Sequence, residues 1–180
     1  THTLWIKGID IAGNVSQVAA FSWTVDQTPP HTTITSVTPE GAVINQSSIS
    51  VTFSANDPVA TSECSLDGST FLSCLSPYSA QGLSDGAHTI QIRSTDSAGN
   101  TEILSPGFYG FTVDTTAPIV NLNASVSSIT KQTLVTFTIT ANEPATFTCM
   151  LDSLQVECSD SVLNSYSNLA DGSHSFSVSA

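Results

Sequence analysis

Three of the four histidines, His2, His88 and His174, recur at intervals of 86 residues, and the last two sit in the same Asp-Gly-x-His pattern at 85–88 and 171–174. A repeated histidine invites a general-base reading. That chemistry needs a Ser or Cys nucleophile within hydrogen-bond reach and a third group to orient the ring. No such set accompanies either copy, so no catalytic residue is assigned and no enzyme is expected. Asp-Gly is a turn signal, and a histidine just after it, opening a strand, suits a corner residue that hydrogen-bonds back to the preceding turn. His31 is unrepeated and reads as exposed.

Oxygen-bearing side chains form the one constellation with a further chemical reading. Asp26, Asn56, Asp57, Asp96 and Asn100 make one set, and Asp114, Asn142 and Glu143 begin a second set one period on. Ca²⁺ takes six to eight hard oxygen ligands, so such a set would suit it if the fold brought these residues to one joint. The competing reading is local. Asp and Asn in "DSAGN" can cap their own turn, and the Asp57-Pro58 and Glu143-Pro144 pairs can simply end a strand.

The four cysteines fall as Cys64 with Cys74 and Cys149 with Cys158, one pair per period. Each pair brackets a tight-turn sequence, which places its members opposite each other across a hairpin. A local disulfide in each repeat follows if the compartment is oxidising; two free thiols per repeat is the alternative. Zinc is disfavoured, because the spacing offers no close Cys-x-x-Cys or His-x-x-x-His pairs.

Composition narrows the partners. Fifteen acidic residues face three basic ones, Lys7, Arg93 and Lys131, for a formal net charge of −12. Nucleic acid and anionic membrane surfaces demand clustered Lys and Arg and are not expected partners. No apolar stretch approaches the roughly 20 residues of a membrane span, and no positively charged leader precedes a cleavage site, so membrane insertion is not expected. Asn14, Asn45 and Asn123 each open an Asn-x-Ser sequon, which marks candidate surface glycosylation in a secreted protein.

The elements that must position these residues are strands. Ile49, Val51, Phe53 and Ala55 occupy alternate positions, as do Val135, Phe137, Ile139 and Ala141 one period later. Leu4 and Ile6, Ile90 and Ile92, and Phe176 and Val178 repeat the pattern, while Phe21, Trp23 and Val25 match Tyr109, Phe111 and Val113. The alternation puts Trp23 on an inner face. It turns Trp5 outward, where the middle repeat has Gln91, so Trp5 is either a ligand anchor or covered by a neighbouring loop or module. With turn signals at Asp67-Gly68, Asp85-Gly86 and Ala98-Gly99-Asn100 and no helical period, the chain reads as all-β: tandem immunoglobulin-like Greek-key sandwiches of about 86 residues. Residues 1–27 would supply the last two strands of a first repeat, 28–117 a complete repeat, and 118–180 a third lacking its last strand. In such a sandwich the loops carrying Asn56 and Asp96 share an end with the incoming linker, which is what lets the calcium reading stand.

Four segments, "FTVDTTAP", "ANEPATFTCMLD", "LADGSHSFSVSA" and "DSAGN", together resemble the tandem immunoglobulin-like repeats of large bacterial surface proteins and adhesins. The resemblance covers essentially the whole chain. It implies a secreted or cell-surface location, a modular stalk, and neighbouring repeats or further copies in a fibre as partners; it names no ligand. Repetition favours a structural spacer, because a binding site usually makes one module diverge at its loops. An adhesin module binding a host or carbohydrate ligand, with Trp5 as its hint, and an accessory domain of a secreted enzyme are the alternatives. The terminal segments could be completed by a longer tandem array or by separate copies joined end to end.

Overall fold

The computed structural model describes residues 1–103, 106–159 and 162–180, and among them it is all-β. β-Branched and aromatic residues at alternate positions fit a pleated, half-buried surface, and Gly and Asp at the tips fit tight turns. The chain divides into two compact units, Thr1–Thr115 and Thr116–Ala180.

The first unit opens with a hairpin, β1 (His2–Ile6) and β2 (Ala19–Trp23), followed by β3 (Thr32–Thr38), β4 (Val43–Ile44), β5 (Ser48–Ala55), β6 (Thr61–Leu66), β7 (Leu72–Cys74), β8 (Tyr78–Gln81), β9 (Gly86–Thr95) and β10 (Gly107–Val113). One sheet has the order β3-β5-β8 and the other β4-β10-β9-β6-β7. Their inner faces enclose one core, in which Val37, Ile49, Val51 and Phe53 from the first sheet meet Cys64, Ile90, Ile92, Phe111 and Val113 from the second. Ile49, Val51 and Phe53 are therefore one inner face, as the alternation requires. This is a two-sheet immunoglobulin-like sandwich.

The second unit contains β11 (Val120–Ala124), β12 (Val135–Ala141), β13 (Thr148–Leu151), β14 (Leu154–Val156), β15 (Leu163–Tyr166) and β16 (Phe176–Ser179). Its sheets, β11-β12-β15 and β14-β13-β16, repeat the orders β3-β5-β8 and β7-β6-β9. Val135, Phe137, Ile139 and Cys149 are its buried apolar residues, and the Phe137 and Phe176 rings stack at 4.1 Å with Tyr166 beside them. Among the described residues no strand lies beside β16 in the place that β10 takes beside β9.

The β1–β2 hairpin repeats the register of β9–β10. His2 faces Trp23, Leu4 faces Phe21 and Ile6 faces Ala19, as His88 faces Phe111, Ile90 faces Tyr109 and Ile92 faces Gly107. Its apolar face is nevertheless open: Trp23, which alternation puts in a core, is 42% exposed, and Leu4, Ile6 and Phe21 are exposed as well. The strand periodicity is as read, but burial needs a second sheet over that face. Here, among the described residues, none covers it.

Candidate functional site

The repeated histidines are structural clips. The His88 Nδ1 lies 2.7 Å from the Asp67 carboxylate and its Nε2 lies 2.8 Å from the Ser84 carbonyl. In the second unit, His174 meets Asp152 at 2.6 Å and the Ala170 carbonyl at 2.8 Å. A carbonyl and an ionised carboxylate only accept, so both ring nitrogens must donate. The imidazolium form satisfies both bonds. Accordingly, the Ser84 and then the Asp67 bonds raise the His88 pKa above its usual value, and Asp152 followed by Ala170 raises that of His174.

The aspartate of each clip sits at the tip of a hairpin with positive φ, 52° at Asp67 and 50° at Asp152. Asp tolerates this left-handed conformation better than most residues. It is held there by a backbone exchange with the histidine strand: Asp67 N–H donates to the Thr89 carbonyl at 2.8 Å, and Thr89 N–H donates to Asp67 Oδ1 at 2.7 Å. Asp152 and Ser175 do the same at 2.9 and 2.7 Å. Partial burial pushes the Asp67 carboxyl upward, but the bonds from His88 and Thr89 outweigh it and the group lies below its ordinary range. The bonds from His174 and then Ser175 lower Asp152. Sequence reading placed both histidines at the corner and missed their aspartates, although the Asp of "SLDG" and that of "MLDS" stand 21 and 22 residues before their histidines.

A disulfide closes the base of each clipped hairpin. Cys64 is bonded to Cys74 with Cα atoms 5.8 Å apart, and Cys149 to Cys158 at 6.1 Å; no free cysteine remains. Loops of this length stabilise by about 2–3 kcal/mol in the chain-entropy picture.

The oxygen-bearing residues are occupied locally. Asp96 Oδ1 accepts the Ala98 and Asn100 N–H groups at 2.9 and 2.8 Å, and its Oδ2 accepts the Asn100 side-chain amide at 2.8 Å. Asp10, Ala12 and Asn14 form the same turn with 2.8 Å bonds, and Gly13 and Gly99 supply its left-handed step at φ 87° and 91°. Both carboxyls are held below their ordinary range, chiefly by the side-chain amides of Asn14 and Asn100. Asp26 and Asp57 accept the N–H two residues on, from Thr28 and Val59. Asn56 Oδ1 accepts the His31 N–H, and Asn142 Oδ1 accepts that of Ile119. The fold does bring the Asn100 amide to the Asp26 carbonyl, at 3.2 Å. That contact uses a nitrogen donor, which no cation accepts. Asp114 sits past β10, its N–H bonded to the Ile44 carbonyl, and Glu143 Oε1 is enclosed without a hydrogen-bond partner among the described residues. Among the described residues, no group of three or more His, Cys, Asp or Glu is placed to hold a metal ion. The bonds described hold these side chains at their own turns and strand ends, which is the local reading of the same residues.

Other sites stand as follows. Trp5 is 68% exposed and opposite Ala20. Asn14, Asn45 and Asn123 are exposed, with the Asn14 amide engaged by Asp10. His31 is exposed but paired at 3.0 Å with Glu102, a buried carboxylate that also accepts the Thr32 N–H on both oxygens. Sequence reading missed Glu102, because an isolated acid outside any repeated motif gives no signal of burial.

Neither a protein-family model nor a curated protein matches the chain. Among solved structures it is similar to a central fibronectin-III array of RIM-binding protein, at 17% identity and a TM-score of 0.31 over 86% of this chain and 63% of that one. It is also similar to a tetra-tandem repeat in the extending region of a large adhesion protein, at 18% identity and a TM-score of 0.34 over 98% of this chain. The chain thus spans 63% and 47% of the lengths of these two.

Proposed function

We propose that the chain is a structural repeat module of an extracellular stalk or fibre, part of a bacterial surface protein, whose partners are neighbouring repeats. The observation that carries this reading is that the clip, the disulfide hairpin and the sheet order recur together in two units with matching bonds. What is duplicated is a set of cross-links and turns that hold each hairpin together. Two disulfides without a free thiol suit an oxidising compartment. Neighbouring modules would supply the cover that the open apolar face of β1–β2 lacks.

The test is to label intact cells with Fab fragments against this chain, and to image the extracted parent protein by electron microscopy with the same fragments bound. Labelling along the length of an extended filament is expected. Fragments that reach their epitope only after lysis would sink the reading. The adhesin alternative rests on Trp5, the large aromatic on the outward face of β1. It requires Fab label confined to a filament tip and loss of ligand attachment in Trp5→Ala.

A further inference from the structure

The His88 clip reaches beyond its own hairpin. Its carbonyl partner, Ser84, lies in the loop 82–85 between β8 and β9, and the next residue of that loop, Asp85, accepts both the N–H and the hydroxyl of Thr115 on Oδ1, at 3.0 and 2.7 Å. Thr115 is the last residue of the first unit. One imidazole therefore ties three pieces of chain: the hairpin tip at Asp67, the loop, and through Asp85 the segment leaving β10.

We propose that protonated His88 is a latch that holds Ser84 and Asp85 and, with them, the chain exit at Thr115, and that loss of the ring proton as pH rises frees both. A neutral imidazole keeps one N–H. The bond to the Asp67 carboxylate is charge-assisted and is the one retained. The Nε2 lone pair then faces the Ser84 carbonyl, two acceptors at hydrogen-bond distance, and the loop must move away. The charged and titratable groups on the elements around the ring are Asp67 on the hairpin tip, Asp85 on the loop, Tyr109 on β10 and Asp114 just past it. Of these, Asp67 favours the cation, through its hydrogen bond and its charge. Of the three basic side chains, Arg93 is committed to Glu63 at 2.8 Å. The Phe111 ring, 5.6 Å from the imidazole, screens it from water on one side. His174 repeats the latch geometry on Ala170, with Asp171 in the place of Asp85.

The test is a pH series on the full 180-residue chain, reading the ring ¹⁵N shifts of His88 and the ¹³C-detected backbone relaxation of Thr115. Two results are expected. His88 titrates above the same ring in the urea-unfolded chain, and the Thr115 signals gain mobility through the same midpoint. Asp67→Asn should lower that midpoint, and Asp85→Ala, which removes the acceptor of both Thr115 bonds, should leave it in place while making Thr115 mobile at every pH. His88→Gln should fix the mobile state; where it fails to fold, the wild-type series and Asp85→Ala decide alone. A His88 midpoint at or below the unfolded one, or Thr115 relaxation flat across it, overturns the latch. The readouts are internal to the folded chain, so they stand or fall separately from where the parent protein resides.

Discussion

His88 and His174 make the same bonds to within about 0.1 Å, yet their side chains are 10% and 28% exposed. The difference lies in what stands next to the strand. In the first unit β10 runs beside β9 and lays Phe111 against the His88 ring; among the described residues of the second unit β16 pairs with β13 alone, and no strand runs along its other edge. The clip is thus a local device, assembled by a hairpin and the strand it contacts, while its shelter from water is supplied by a more distant strand. The same contrast runs through the cores. Ile90 and Ile92 are fully buried, whereas their counterparts Phe176 and Val178 are half-buried. Local geometry survives without the neighbouring strand, and burial does not.

Core truncation should break the comparison most strongly. Ile92→Ala removes a fully buried side chain and is expected to cost about 2–5 kcal/mol. Val178→Ala, at the equivalent half-buried position, should cost about 1 kcal/mol or less. Urea titration followed by NMR signals assigned to each unit would check this, and equal losses would show that the second unit is as well packed as the first.

Disulfide removal should come next, and should affect the two units alike. Replacing Cys64 and Cys74 by Ala, or Cys149 and Cys158 by Ala, is expected to cost about 2–3 kcal/mol in the unit concerned, because the effect depends on loop length and the loops are nearly equal. The same unit-resolved titration measures it. A much larger loss in the second unit would mean that the bridge there substitutes for missing core.

A pH profile of stability sharpens the contrast further. The raised pKa of His88 and His174 means that folding binds their protons more tightly. That stabilisation is full below the unfolded histidine value and is lost as pH rises through the folded one. The lowered Asp67 and Asp152 act in the opposite sense, contributing above the unfolded aspartate value and losing their effect as pH falls through the folded one. Each unit should therefore be most stable between the two ranges. In His88→Gln that alkaline slope should vanish from the first unit and persist in the second, as read from unit-resolved melting temperatures across pH.

The smallest effect concerns the loop acids. Asp96→Ala should lower the melting temperature of the first unit slightly and by the same amount with Ca²⁺ or with chelator, since the carboxylate is spent on its own turn. A saturable calcium heat in calorimetry, abolished by this substitution, would contradict that assignment.

What the residues alone determine is whatever depends on near neighbours. Alternation at Ile49, Val51 and Phe53 sets an inner face because side chains on a strand have a period of two, and Asp-Gly and Gly-Asn pairs set the turns because few residues accept a left-handed step. The Cys64–Cys74 bridge was legible for the same reason: a short turn leaves its flanks no choice but to face each other. The tertiary structure decided everything that depends on which distant surface arrives. Trp23 carries the pattern of a core residue and is open, because burial is a property of the covering sheet and not of the strand. Asp67 and Asp96 are both acids in turns, yet one holds an imidazolium 21 residues away and the other only its own loop. Sequence shows the donors and acceptors of each turn, but a strand from elsewhere in the chain chooses which of them it meets.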